Sequence, residues 1–374
     1  MKIAVLANEK DSFVRPLAEG LARMATSCGA VPEIHYDGLE ILSLPLGMRW
    51  RSPRAVASSA LKSRGYRKRF NSFVERVQDA DLIVVVAHVP GSLSRHTLRN
   101  VEELRDKLPG IPIVNYDLVY LPTVEKWGAA MLRGDLSDIS ADEMHLISPP
   151  PFGLERYDWY LVASAMSEVA MPSGPHPCSH IGMDIDDGTL FPDQGDELHV
   201  LVDFEQTRKD YASYRKVQLE ALERSRTSFE VLEGRFTRTE IRKKYRKAGA
   251  LMLAHRESFG LPIVELQACG GLIFTPKAEW AGAHWIKEDV SVPGHGEHTS
   301  NFVVYENTVD ALVGELEEAK RSFDPVERRK TFRREHPQFF RGDREELCDF
   351  LDRVKSGKIH SRLHVEHAGI GRDG

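Results

Sequence analysis

The chain is poor in several things. It has four cysteines in 374 residues, Cys28, Cys178, Cys269 and Cys348, and no Cys-x-x-Cys pair. Scattered in this way, they read as reduced thiols in a cytosolic protein with no zinc site. No apolar run approaches the roughly 18 residues that span a bilayer, so no transmembrane segment is expected. The opening "MKIAVLAN" has one lysine and a short apolar run, which suits a buried strand rather than a signal peptide. Positive charge is not in excess either. The net charge is −6, and a polynucleotide binder is more often strongly basic, so no nucleic-acid partner is expected.

What remains is an ordinary globular composition, 41% hydrophobic and 28% charged, with a cytoplasmic location as the expectation. The length favours two domains over one core. Lysine and arginine gather locally over 47–70 ("MRWRSPR", "KSRGYRKRF"). A solvated helix and loop face accounts for them, and an attraction to an anionic acceptor or a membrane surface stays open as peripheral contact.

Apolar runs of strand length alternate with helical stretches. "KIAVLA" (2–7), a helix over 13–28 closed by Gly29, and "PEIHYD" (32–37) make a β-α-β start, which favours a parallel sheet covered on both faces. "ADLIVVVAHVPG" (80–91), the helix "TLRNVEELRDKL" (97–108), "IPIVNYDLV" (111–119) and "YDWYLVAS" (157–164) continue the pattern. The proline-rich stretch 171–197 interrupts it and contains the expected domain boundary. The alternation then restarts: strands at 197–204, 228–236, 249–255, 271–276 and 301–306, with helices at 210–224, 237–248 and 308–323. A last helix is expected over 343–356, followed by a flexible tail at 357–374.

One stretch concentrates chemistry. "HRESFGLPIVELQACGG" (255–271) carries Glu257 and Glu265 eight positions apart. It should form the loop and helix after strand 249–255, and open α/β sheets bind ligands beyond the carboxyl ends of their strands. Pro262 suits a first helical turn, and Gly270-Gly271 suits a stop. The backbone N–H groups from Phe259 through Gly260 and Leu261 to Ile263 then face an electropositive mouth that fits a diphosphate. Two flanking carboxylates can each accept two hydrogen bonds from vicinal hydroxyls. A nucleotide sugar has this layout of sugar, diphosphate and ribose.

These residues resemble the E-x7-E signature of retaining GT-B glycosyltransferases of the group-4-like class. "SHIGMDIDDGTLFP" (179–192) resembles the hinge of that family, "YDWYLVASAMSEVAM" (157–171) the strand and serine before it, and "AHVPG" (87–91) its His-x-Pro on the acceptor side. The resemblance implies two Rossmann-like β/α/β domains facing a cleft, with a C-terminal helix crossing back. The domains would be 1–178 on the acceptor side and 179–342 on the nucleotide-sugar side, with the crossing helix at 343–356. It implies that Glu265 holds the ribose hydroxyls and Glu257 those of the transferred sugar. The amides of Ser258, Phe259 and Gly260 would meet the diphosphate and sugar, and His88 would lie near the anomeric centre. Arg208 and Lys209 would neutralise the diphosphate, with no metal or other cofactor. The family's arginine position falls on Asp203, and "ANEKDSF" stands where a glycine pair is common.

The implied activity is a retaining hexosyl transfer from a nucleotide-diphosphate donor to an acceptor hydroxyl of a glycan, lipid or small molecule. A phosphorylase or epimerase using the same fold, and a non-catalytic nucleotide- or glycan-binding protein, stay open. "DIDD" (184–187) is read as a turn rather than a metal site, and "RKKYRK" (242–247) as the charged outer face of a helix.

Overall fold

A computed structural model describes residues 1–8, 14–44, 46, 53–86, 95–119, 157–164, 178–195, 197–204, 212–253, 260–277, 284–288 and 296–359, without the side chains of 53–63, 95–99, 164, 285–288 and 296. The chain divides into two units. One comprises Met1–Asp184 and Gly342–Gly374, the other Ile185–Arg341.

The first unit begins with β1 (Lys2–Leu6), α1 (Val14–Ser27), β2 (Val31–His35), α2 (Gly38–Leu42), α3 (Pro53–Val77), β3 (Leu82–Val86) and α4 (Arg95–Lys107). It continues with β4 (Ile113–Val119), β5 (Trp159–Ser164) and β6 (Cys178–His180). The strands form one sheet in the order β2-β1-β3-β4-β5-β6, parallel throughout. β3, "LIVVV", is buried at every position, as a strand covered on both faces must be. α1 packs through Val14, Leu17, Ala18, Leu21, Met24 and Ala25, the three-and-four spacing of a single apolar stripe. It stops before Gly29, which takes φ +75, a conformation that favours glycine. α4 is fixed to the sheet by a buried ion pair, Arg105 to Asp158 at 2.8 Å, and Asp158 also accepts from the Ile113 amide.

The second unit runs β7 (His199–Val202), α5 (Ala212–Arg224), β8 (Ser228–Val231), α6 (Arg238–Lys247), β9 (Ala250–Met252), α7 (Leu261–Ala268) and β10 (Leu272–Pro276). β11 (Trp285–Glu288), β12 (Gly296–His298), β13 (Phe302–Tyr305), α8 (Val309–Arg321), α9 (Pro325–Glu335) and α10 (Pro337–Phe340) follow. Its main sheet has the order β13-β10-β9-β7-β8, again all parallel, and β11 pairs antiparallel with β12. One face packs Val200, Val202, Met252 and Phe274 against Leu222 of α5 and Leu312 and Leu316 of α8. The strand expected over 228–236 ends at Val231. α9 and α10 lie in a stretch whose apolar residues are too sparse for a periodic signal. Its Asp324 cap and Pro325 start nevertheless follow the rule for helix N-termini.

α11 (Arg344–Lys355) belongs to the first unit. Its buried residues are Leu347, Phe350, Leu351 and Val354, and Phe350 meets the ring of Trp159. Cys348 of α11 is joined to Cys28, just beyond α1, by a disulfide with Cα atoms 5.4 Å apart. This corrects the expectation of four reduced thiols. Residues separated by 320 positions gave no local spacing to read, and the packing of α11 against α1 brings them together. Cys178 and Cys269 are free. Among the described residues no helix is long and apolar enough to cross a membrane, and no group of three or more metal-ligating side chains converges.

Candidate functional site

Both sheets change direction in the same way. In the first, β2 lies on one side of β1 and β3 on the other; in the second, β8 and β9 flank β7. Such a reversal leaves a crevice at the carboxyl ends of the two diverging connections, where doubly wound sheets bind ligands. In the first unit the crevice lies beyond Leu6 and Val86, and the chain after Val86 leads to His88. In the second it lies beyond Val202 and Met252, and the chain after Met252 leads to Gly260 and α7. His88, Arg208, Lys209, Glu257, Ser258 and Phe259 themselves lie outside the described residues. The segments chosen from sequence nevertheless emerge from the strands that border the two crevices.

α7 has the start its sequence implies. Gly260 is the N-cap with φ 63 and ψ 106, and Pro262 occupies the first turn. The first hydrogen bond of the helix runs from the Val264 amide to the Gly260 carbonyl at 3.2 Å. The amides of Leu261 and Ile263 come before that bond, so they point out of the helix start. At the far end the Gly271 amide bonds back to Leu266 at 3.0 Å, and Gly270 sits at φ +86, the geometry of a glycine-stopped helix.

Glu265 is not a free carboxylate. It is 4% exposed, and its Oε1 accepts from Nε and from a terminal nitrogen of Arg242 at 2.9 and 2.5 Å. Arg242 also bonds to Asp187 and to Thr189 Oγ1, and Arg238 reaches Asp187 at 2.8 Å. Burial pushes the Glu265 carboxyl above its usual range, with the Arg242 guanidinium opposing. For Arg242, burial acts downward and is outweighed by Glu265 and Asp187, so its proton is held more firmly. Two donors of one guanidinium on one oxygen make this a charge-assisted contact.

This network revises two readings. Arg242 opens the "RKKYRK" run, yet with Tyr245 it is buried while Lys243 and Lys247 face outward. Only part of that helix is an outer face. α6 begins with a complete capping box of Thr237 and Glu240, and Arg242 on its buried side reaches Glu265 of α7. The acids of "DIDD" are each taken by an arginine: Asp184 by Arg23, Asp186 by Arg341, and Asp187 by Arg238 and Arg242. The first of these belongs to the first unit and the others to the second.

Three residues near the strand ends, Arg215, Gln218 and Tyr305, were not singled out from sequence. Arg215, in the first turn of α5, donates to the Asp203 carbonyl beyond β7. Gln218, one turn later and fully buried, donates to the Leu253 carbonyl beyond β9 at 2.7 Å and to the Tyr305 hydroxyl at 2.9 Å. Asp203 folds its own carboxylate onto the Phe204 amide at 2.8 Å. Burial pushes the Tyr305 phenol up to about 12. The three-residue spacing of Arg215 and Gln218 was the available signal, but it needs the strand order to acquire meaning.

No protein-family model matches the sequence, and no curated protein matches it either. Solved structures do match in three dimensions. An alpha-glucosyltransferase in complex with UDP and a 13-mer DNA containing an HMU base aligns with TM-score 0.55 at 12% identity, over 95% of this chain and 99% of the other. The fold is GT-B. Sucrose-phosphate synthase from Thermosynechococcus elongatus shares the GT-B fold with TM-score 0.51 at 12% identity, over 96% and 98% of the two chains. Anabaena Alr3699/HepE in complex with UDP and glucose matches with TM-score 0.50 at 14% identity, over 95% and 99%. The expectation of no nucleic-acid partner is corrected here. Several structures of the alpha-glucosyltransferase contain DNA, so the fold is compatible with a DNA partner. Net charge averages over the whole surface, whereas a nucleic acid meets one face of it.

Proposed function

We propose that this protein is a glycosyltransferase that moves a sugar from a nucleoside-diphosphate donor to an acceptor hydroxyl, with retention at the anomeric carbon. The observation that carries this reading is the position of Gly260 and α7 after the strand bordering the crevice of the second sheet. In this mechanism the diphosphate meets the exposed amides of Leu261 and Ile263 and the positive end of the helix dipole. Glu265 is oriented by Arg242 through Oε1, which leaves Oε2 for a ribose hydroxyl. Glu257 takes hydroxyls of the transferred sugar, and Ser258 and Phe259 extend the amide cluster. Arg208 and Lys209 neutralise the leaving diphosphate, where charge builds in the transition state, so no metal is required. His88 faces the acceptor near the anomeric centre. The acceptor attacks from the leaving-group side, and the diphosphate takes its proton.

The neighbours support a UDP-type donor, and the DNA among them makes a hydroxylated base in duplex DNA one acceptor to include beside glycans and lipids. A second reading, nucleotide binding without turnover, draws on Asp203, whose carboxylate occupies the place where an arginine is expected. Titration of UDP, GDP and ADP tests the site. Glu265→Ala removes a charge-assisted bond worth roughly 1.5–3 kcal/mol and should weaken nucleotide binding about ten- to a hundred-fold. Unchanged affinity removes Glu265 from the site. Proton NMR of the product's anomeric signal tests retention, and binding without product from any acceptor favours the second reading.

A further inference from the structure

α9 carries five cations in seven residues, Arg328, Arg329, Lys330, Arg333 and Arg334. Three of them have ordinary partners. Arg328 bonds to the Ser322 carbonyl and hydroxyl, Lys330 to Glu327, and Arg334 to Glu335 and Thr331. The other two are different. Arg329 and Arg333 have no hydrogen bond or ion pair among the described residues, and the Nε of Arg329 is buried without a partner. Both lie over the ring of Phe340, with guanidinium carbons 5.4 and 4.4 Å from its centroid. A third arginine, Arg341, approaches the same ring at 5.9 Å. Among the described residues the one carboxylate paired with this group is Asp186, which bonds to Arg341 at 3.2 Å.

Like charges four residues apart on a helix repel, and among the described residues Asp186 is the carboxylate that acts against this repulsion at Arg329. Burial lowers the hold of Arg329 on its proton, and Arg333 and Arg341 lower it further. Stacking on an aromatic ring, however, fixes the plane of a guanidinium and leaves its edge N–H groups free to point outward as a fork. Phe340 is the floor of this arrangement, 2% exposed and braced edge-on by Phe332. Three arginines less one aspartate leave a local charge of +2, which matches a dianion. The cluster adjoins the carboxyl-terminal end of α7, where the Pro325 carbonyl closes on Gly270. An eight-residue helix of about 12 Å therefore separates it from Gly260.

We propose that Arg329, Arg333 and Arg341, stacked around Phe340, form a binding site for a phosphomonoester dianion, separate from the crevice at the amino end of α7. The recognised group is the terminal phosphate itself, whether free or carried on a hexose. Planar forks match its oxygens two at a time. Three guanidiniums converging on one ring suit a single compact phosphate rather than a phosphodiester chain, which is held by a row of cations along a groove.

The test is calorimetric titration and thermal shift of the full chain with inorganic phosphate and with a hexose 6-phosphate, at ionic strength matched with chloride. The expected result is binding of both, or of the hexose phosphate alone, at pH 7.5. Binding should weaken at pH 5.5, where a phosphomonoester takes up its second proton with a pKa of about 6. Arg329→Gln and Arg333→Gln should each weaken it by about tenfold, while UDP affinity stays the same. If Arg329→Gln does not fold, the exposed pair Arg333→Gln and Arg341→Gln carries the same test. No binding beyond the chloride control overturns the proposal, as does equal affinity in the variants. A duplex oligonucleotide that binds through the same arginines while both phosphates fail also overturns it. Because UDP is titrated in the same variants, loss of UDP binding in the wild type bears on the crevice at Gly260 and not on this cluster.

Discussion

Arg242 and Glu265 meet through two donors on one carboxylate oxygen, at 2.9 and 2.5 Å, with both side chains about 5% exposed. The residue that the sequence puts forward as a ligand for sugar hydroxyls is thus also one half of a buried ion pair. Its partner comes from a different helix, 23 positions earlier. Glu265 should therefore affect both stability and binding, and the two effects can be separated.

Arg242→Ala leaves the Glu265 carboxylate buried without its cation and removes one of two arginines from Asp187. Such a loss should destabilise the second unit by about 3–5 kcal/mol. Denaturant unfolding checks this. Arg242→Leu combined with Glu265→Leu should recover much of the loss, because neither charge is then left alone in the interior. A double variant as unstable as the single one would mean that packing, not charge, is at stake.

Reducing the Cys28–Cys348 bond should lower the stability of the first unit by about 2–5 kcal/mol, since it closes a loop of most of the chain. Urea melts with and without dithiothreitol measure it. Cys28→Ser should match the reduced wild type and lose its own response to the reductant.

Acid should weaken the second unit well before its carboxylates titrate. His336 is 2% exposed, and burial lowers its pKa to about 4. Its folded pKa lies below the unfolded value of 6.5, so the unfolded chain binds the proton first. The stability is present above about pH 6.5 and is lost as pH falls toward 4, by about 3 kcal/mol for this one group. His298 and His199 are lowered in the same direction by burial. Melting temperatures from pH 7 to 4 should fall along a slope that is shallower in His336→Phe.

Gly270→Ala should cost about 1–3 kcal/mol through its positive φ, and more through the Pro325 carbonyl that the new methyl would meet. Thermal unfolding reads the loss. Gly188→Ala is the control, because Gly188 also has positive φ, +77, but nothing lies near its missing Cβ. It should show the backbone cost alone.

Much of the local structure was legible in the residues. Unbroken apolar runs such as "LIVVV" named the buried parallel strands, and glycines 29 and 270 named helix stops, because a strand's burial and a helix end depend on near neighbours in the chain. The start of α7 at Gly260-Leu-Pro was readable for the same reason. α9 was missed although its Asp-Pro start carried the signal, since charged residues hid its few buried positions.

By itself the sequence determined a two-part α/β chain with a helix start at residue 260 after a buried strand. Alternation of apolar runs and capping residues is a local property, and local physics reads it. Only the tertiary structure decided the strand order that makes crevices beside β1 and β7, the partners Arg242 and Cys348, and the three arginines gathered on Phe340. The strand order and those two partners join residues far apart in the chain, and the arginines meet where two successive helices fold back on one ring. All are set by which surfaces are buried together rather than by any spacing along the chain.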